Sequence, residues 1–185
     1  MKSNPAVHED AGAWDKQWED VANRYYWHTQ EHSKLVEQYL HGKILDVGCG
    51  PGFLASRVWP NEGWYTGIDF SPRALQMARA LFPGAHFEQV DVSKDKFPFP
   101  DGTFDTVICS EVLEHLLDQA NVLAEVKRVS RDLMLFSVPV SMNAPGHVWP
   151  DWTYDDVCRM LGPLGKFIEI RVHHQANTIL AYMRK

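Results

Sequence analysis

The chain has 185 residues, 45% of them hydrophobic, and a formal net charge of −6. That length and composition suit one folded domain with a substantial core, and exclude a disordered chain. The acidic balance and the lack of any basic run argue against nucleic acid as a main partner, because phosphate binding needs a positive field.

The opening "MKSNPAVHED" has no apolar signal core, and no run approaches the length of a membrane span, so a cytoplasmic location is expected. Residues 1 to about 12 read as a loose tail. From Ala13 to Leu40 the sequence reads as one or two helices rich in rings: Trp14, Trp18, Tyr25, Tyr26 and Trp27. Helix packing accounts for such rings, and so does a cap over a pocket in the domain that follows. "KILDVG" is a short apolar strand ending in glycine, followed by a helix beginning near Phe53. "WYTGID" is a second strand, and "SPRALQMARALF" a helix with Ser71 as N-cap and Pro72 at its first position. "HFEQVDV" is a third strand. After the loop "SKDKFPFPDG" come a fourth strand, "FDTVICS", and a helix expected from Glu111 to about Val129.

"DLMLFSVPV" is the fifth strand. Thr153 and Asp156 have the spacing of a capping box. "KFIEIRVHHQANTILAYMRK" reads as two β runs joined by a hairpin at Gln175, Ala176 and Asn177. Strands separated by helices imply a parallel sheet covered on both faces, and the closing hairpin makes the last strand antiparallel. Cys49, Cys109 and Cys158 form no CxxC pair, so buried reduced thiols are expected rather than zinc or disulfides.

Three glycines in five residues, Gly48, Gly50 and Gly52, shape a backbone that something must approach closely. In such a sheet ligands bind at the carboxyl ends of the strands. A dinucleotide fingerprint needs a small residue where Phe53 stands, which disfavours a nicotinamide cofactor. Asp46 would repel a pyrophosphate but attract an ammonium group, and Asp69 ends the second strand where an acid can accept from ribose hydroxyls. A ligand with a ribose and a positive centre fits, and S-adenosylmethionine has both.

At these residues the sequence resembles the class I S-adenosylmethionine-dependent methyltransferases. "ILDVGCGPG" is similar to their first motif, "YTGIDFS" to the second, and "VDVSKDKFPFPDGTFDTVICSEVLEHL" to the third-strand acid and fourth-strand motif. The resemblance implies an α/β fold: a Rossmann-like, doubly wound, mostly parallel seven-stranded sheet with an antiparallel last strand. It implies a single domain, with residues 1–40 a tail and helical lid and residues 41–185 the cofactor-binding unit. Asp46 would hold the cofactor's ammonium group, with Gly48, Cys49 and Gly50 along its methionine part. Asp69 would take the ribose, Phe70 the adenine face, Asp91 the adenine amino group and the Val92 backbone the ring. Ser110 and Glu111 would face the methionyl arm or the acceptor.

The residues after the fourth strand, "SEVL", resemble the branch acting on small molecules and quinone precursors, so a small-molecule acceptor, methylated at oxygen, is expected. A non-catalytic binding scaffold and an RNA 2′-O-methyltransferase are the alternatives. "EVLEH" with the later His147 resembles metal-assisted O-methyltransferases, implying a divalent cation held by Glu111, Glu114, His115 and His147. Glu111, His115 and His147 are then the catalytic candidates. The other reading makes Glu114 and His115 an ordinary helix start, with His115 donating to backbone or solvent.

Overall fold

The computed structural model describes residues 36–58, 64–140, 147–149, 151–174 and 177–185. Short β-rich runs give the strands β1 (Ile44–Val47), β2 (Tyr65–Asp69), β3 (His86–Gln89), β4 (Phe104–Ser110), β5 (Ser130–Pro139), β6 (Lys166–His173) and β7 (Thr178–Arg184). They form one seven-stranded sheet in the order β3-β2-β1-β4-β5-β7-β6. β1 pairs in parallel with β2 on one side and β4 on the other. The chain order therefore reverses at β1, and a crevice opens there at the carboxyl edge. β7 runs antiparallel to both β5 and β6, which bears out the expected closing hairpin. Asn177 takes a left-handed φ of 49° at its end; Gln175 and Ala176 lie outside the described residues.

Alternation along each strand divides the core between two faces. Leu45, Val47, Val107, Cys109, Met134 and Phe136 pack with α3 (Ala120–Val129) and α4 (Tyr154–Leu161). Ile44, Tyr65, Ile108, Leu133 and Leu135 pack with α1 (Ala55–Val58) and α2 (Pro72–Leu81) on the other side. The start signals act as expected. The Ser71 side chain accepts from Ala74 N at 3.0 Å, ahead of Pro72, and Thr153 and Asp156 form a complete capping box.

One expected element differs. No continuous helix runs from Glu111 to Val129: a 3-10 turn covers Leu113–His115, and α3 begins at Ala120. Glu111 has a φ of 55°, a left-handed conformation that no α-helix contains. Its N–H turns back to the Ser137 carbonyl on β5 at 3.1 Å. Asp118 then accepts from Ala120 N at 2.8 Å, opening α3 afresh. The one-face spacing expected for Glu111, Glu114 and His115 on a helix is replaced by the geometry of this turn.

The aromatic segment with Trp14, Trp18, Tyr25, Tyr26 and Trp27 lies outside the described residues. Its described end docks on the sheet. Val36 is buried, the Tyr39 ring lies 3.9 Å from that of Tyr182, and its hydroxyl donates to Glu169 at 2.9 Å. Among the described residues no helix is long and apolar enough to cross a membrane.

The connector before β4 is clamped by Arg128 of α3. Its guanidinium donates to the carbonyls of Phe97 at 2.9 Å and Phe99 at 2.7 Å. It also donates to Asp101 at 2.8 Å and to both Glu125 oxygens at 2.8 and 2.6 Å. Glu125 Oε2 in turn accepts from Phe97 N at 2.7 Å. Arg128→Ala should therefore cost roughly 2–3 kcal/mol, water replacing part of what the guanidinium supplies. Urea denaturation of the variant checks this; a midpoint equal to that of the native chain would mean that the connector holds without the clamp.

Candidate functional site

Gly48 begins the loop after β1 with a φ of 71°, and a Cβ there would lie 2.4 Å from Val112 Cγ2. Only glycine fits both demands. The N–H groups of Gly48 and Cys49 both donate to the Ile68 carbonyl, at 2.8 and 3.0 Å. Gly50 N donates to Asp69 Oδ2 at 2.9 Å, and Ser71 N to Asp69 Oδ1 at 2.8 Å. Asp69 thus ties the glycine loop to the start of α2. A carboxylate is also the group that a pair of ribose hydroxyls requires.

Asp46 points from β1 onto the α1–α2 face and is 5% exposed. Its Oδ2 accepts from the Tyr65 hydroxyl at 2.5 Å. Burial pushes the Asp46 carboxyl up to about 7, against the pull of the Tyr65 bond, and the charge of Asp69 adds to the rise. Tyr65 lies next to the motif residues in space and was not among the residues expected from sequence. A tyrosine opening a strand carries no signal of its own.

Phe70 follows Asp69, half-buried, and its carbonyl accepts from Gln89 Nε2 at 3.0 Å. Asp91 lies just past β3. Burial works to raise its carboxyl, but Lys94 at 2.7 Å and Ser93 at 2.6 Å outweigh that and hold it below the usual range. Val92 is buried, and its carbonyl accepts from Asn121 at 3.0 Å. Ser110, ending β4, sits 2.9 Å from the Ser137 hydroxyl.

Glu111 Oε1 accepts from Ser137 Oγ and Thr178 Oγ1, both at 2.9 Å. Two strands, β5 and β7, therefore hold this left-handed residue, and Ser137 and Thr178 are further participants that the sequence did not mark. Glu114 is fully buried, and neither of its carboxyl oxygens makes a hydrogen bond of normal geometry. Burial first, and the Glu111 charge second, raise its carboxyl well above the ordinary value. The Glu114 carbonyl accepts from Val148 N at 2.8 Å and Trp149 N at 3.2 Å, while Trp149 Nε1 donates to the Leu116 carbonyl at 2.9 Å. These bonds pin the segment carrying His147 against the turn. The His115 and His147 rings meet edge-on at 4.8 Å. Ligand atoms of Glu114, His115 and His147 all lie within 4.8 Å of one another. Glu111 stands outside that group, its Oε1 committed to Ser137 and Thr178.

The Asp46 environment has a consequence for stability. Unfolded Asp46 loses its proton near 3.8, whereas the folded chain keeps it to about 7. Between these values the folded state binds the extra proton, so this group's contribution to stability falls as pH rises and levels off above 7. Asp46→Asn removes the effect. The variant should gain stability over the native chain progressively from pH 4 to 7, up to about 4 kcal/mol. Melting at pH 5 and pH 8 checks it: an equal difference at both would mean that Asp46 is ionised throughout.

Residues 45–133 match the family described as "Methyltransferase domain". A probable S-adenosylmethionine-dependent methyltransferase of Mycobacterium tuberculosis is 28% identical over 137 residues, covering 71% of this chain and 48% of that protein. A ubiquinone biosynthesis O-methyltransferase of Pasteurella multocida is 34% identical over 99 residues, covering 47% of this chain and 41% of that one. The chain thus spans about half the length of these curated relatives. Among solved structures, a SAM-dependent methyltransferase from Aquifex aeolicus shares the fold with a TM-score of 0.73 at 15% identity, over 92% of this chain and 97% of that one. Residues 45–133 thus match the methyltransferase domain family, and the chain is similar in sequence and in fold to S-adenosylmethionine-dependent methyltransferases.

Proposed function

We propose that the protein methylates an oxygen of a small-molecule acceptor, seated at the carboxyl edge between the glycine loop and the Glu114–His115–His147 cluster. The observation that carries this reading is the convergence of two imidazoles, His115 and His147, on the buried Glu114 carboxyl. Val112, one residue before the turn, touches Gly48, so the cluster adjoins the loop.

S-Adenosylmethionine, when bound, supplies an electrophilic methyl group on a sulfonium sulfur. Gly48, Cys49 and Gly50 would line its methionine part and Asp46 would face its ammonium group. Asp69 would accept from the ribose, and Phe70, Asp91 and the Val92 backbone would frame the adenine. Alignment of donor and acceptor in a dry site is the main demand of such a transfer. Ser110 and Glu111 would orient the methionyl arm and the acceptor, their positions fixed by Ser137 and Thr178. His115 or His147 would take up the acceptor's hydroxyl proton. The donor set of one carboxylate and two imidazoles also fits a divalent cation of the Mn or Zn type, and Mg less well. Glu114, His115 and His147 would hold it, and it would lower the acceptor's pKa. The aromatic segment in residues 1–40 would close over the site and exclude water.

Three measurements test the reading. Calorimetry should show S-adenosylhomocysteine binding, weakened by roughly 1–3 kcal/mol in Asp69→Ala; a folded native chain giving no heat would exclude the cofactor site. Dialysis against chelator, followed by titration of Mg²⁺, Mn²⁺ and Zn²⁺, should show metal uptake by the native chain and its loss in Glu114→Gln. Equal uptake by both would leave the cluster a structural one. Removal of residues 1–30 should preserve cofactor binding and abolish methyl transfer, whereas full activity of the shortened chain would assign that segment to packing alone.

A further inference from the structure

The Asp46 side chain makes a single hydrogen bond among the described residues, and its donor is the Tyr65 hydroxyl at 2.5 Å. Both residues are buried, at 5% and 4% exposure. The register explains the meeting. Ile44 lies opposite Tyr65 and Asp46 opposite Gly67, so Tyr65 and Asp46 sit on one face, and the long phenol reaches along the strand to the carboxylate. The Tyr65 ring is fixed edge-on to Phe87, 5.9 Å between centroids. Gly67 leaves the space beside them to other groups, since a Cβ there would come within 2.7 Å of Cys49 Sγ and 2.8 Å of Phe87 Cδ1. The carboxylate is thus buried against the Tyr65 hydroxyl, two residues before the glycine loop.

The groups that bear on Asp46 are Tyr65 and Asp69 on β2, Cys49 in the loop and Cys109 on β4. All of them are acids. Among the described residues Arg79 bears on Cys49 but no basic side chain bears on Asp46 itself, and the donor that favours its ionised form is the tyrosine hydroxyl. We propose that Tyr65 is the positioning residue for the amino-acid end of the cofactor: its hydroxyl orients the Asp46 carboxylate and sustains its charge for an incoming ammonium group. This rests on the cofactor reading above. It makes Tyr65 act through Asp46, so its effect reaches only ligands that carry the ammonium group. The adenosine part, held by Asp69 and the third-strand end, is indifferent to it.

Two ligands separate these ends: S-adenosylhomocysteine, which has the ammonium group, and 5′-methylthioadenosine, which has the same adenosine and a thioether but no amino acid. Calorimetry at pH 7.5 with the native chain, Tyr65→Phe, Asp46→Asn and the double variant completes a cycle. Tyr65→Phe should weaken S-adenosylhomocysteine about tenfold or more and leave 5′-methylthioadenosine within about twofold, as loss of a hydrogen bond to a charged group implies. In the Asp46→Asn background the tyrosine change should have no further effect on either ligand. A Tyr65→Phe chain that folds only together with Asp46→Asn supports the same coupling, because the hydroxyl is then what makes the buried charge tolerable. Equal weakening of both ligands, undiminished S-adenosylhomocysteine binding, or losses that simply add in the double variant would overturn the role of Tyr65 while leaving the cofactor site standing. A native chain that binds neither ligand would overturn the cofactor reading itself, and the role of Tyr65 with it.

Discussion

One carboxylate organises the carboxyl edge of the sheet. Asp69 receives the Gly50 N–H on one oxygen and the Ser71 N–H on the other, so the loop after β1 and the helix after β2 share a single anchor. The Ile68 carbonyl accepts two more loop N–H groups. With these bonds made, the left-handed glycine at position 48 is held against Val112, and the turn carrying Glu114 and His115 is brought against the loop. Remove that anchor and the crevice at the β1 reversal loses its shape, although the sheet beneath is held by its own ladders.

The second constraint is electrostatic. Asp46 and Glu114 are both buried carboxyls, placed on either side of the loop–turn contact, and both are raised by loss of water. Burial of an unpaired charge is costly, so each must stay protonated or acquire a positive partner. The two sites differ in what they offer. Asp46 has a hydroxyl donor and acidic neighbours, which suits a small organic cation. Glu114 has two imidazoles within ligand distance, which suits a metal ion or a shared proton. A fold that spends stability on two such groups at one edge is shaped by what binds there, consistent with perturbed acids gathering at functional sites.

Support for this edge comes from well outside the motifs. Ser137 on β5 and Thr178 on β7 bind the carboxylate of the left-handed Glu111. The Glu114 carbonyl collects the N–H groups of Val148 and Trp149, which sets His147 beside His115. Antiparallel β7 matters here: by running back along β5 it delivers Thr178 to the same end of the sheet as Ser137, their strands paired from Leu133↔Arg184 to Pro139↔Thr178.

Much of this was written locally in the chain. The strand–glycine–helix alternation, the Ser71–Pro72 start and the Thr153–Asp156 capping box follow from short-range rules: period, capping and the conformational freedom of glycine. Those rules do not reach across the sheet. The one-face spacing expected for Glu111, Glu114 and His115 rested on a helix beginning at Glu111, and that helix yielded to hydrogen bonds with β5 and β7 that no local pattern contains. Tyr65, Ser137 and Thr178 look like ordinary strand residues until register places their hydroxyls against the carboxylates of Asp46 and Glu111. The sequence by itself determined which groups carry charge and where the backbone can bend. Only the tertiary structure decided which of those charges are left without water, and which neighbours answer them, because burial and pairing depend on strands far apart in the chain meeting at one edge.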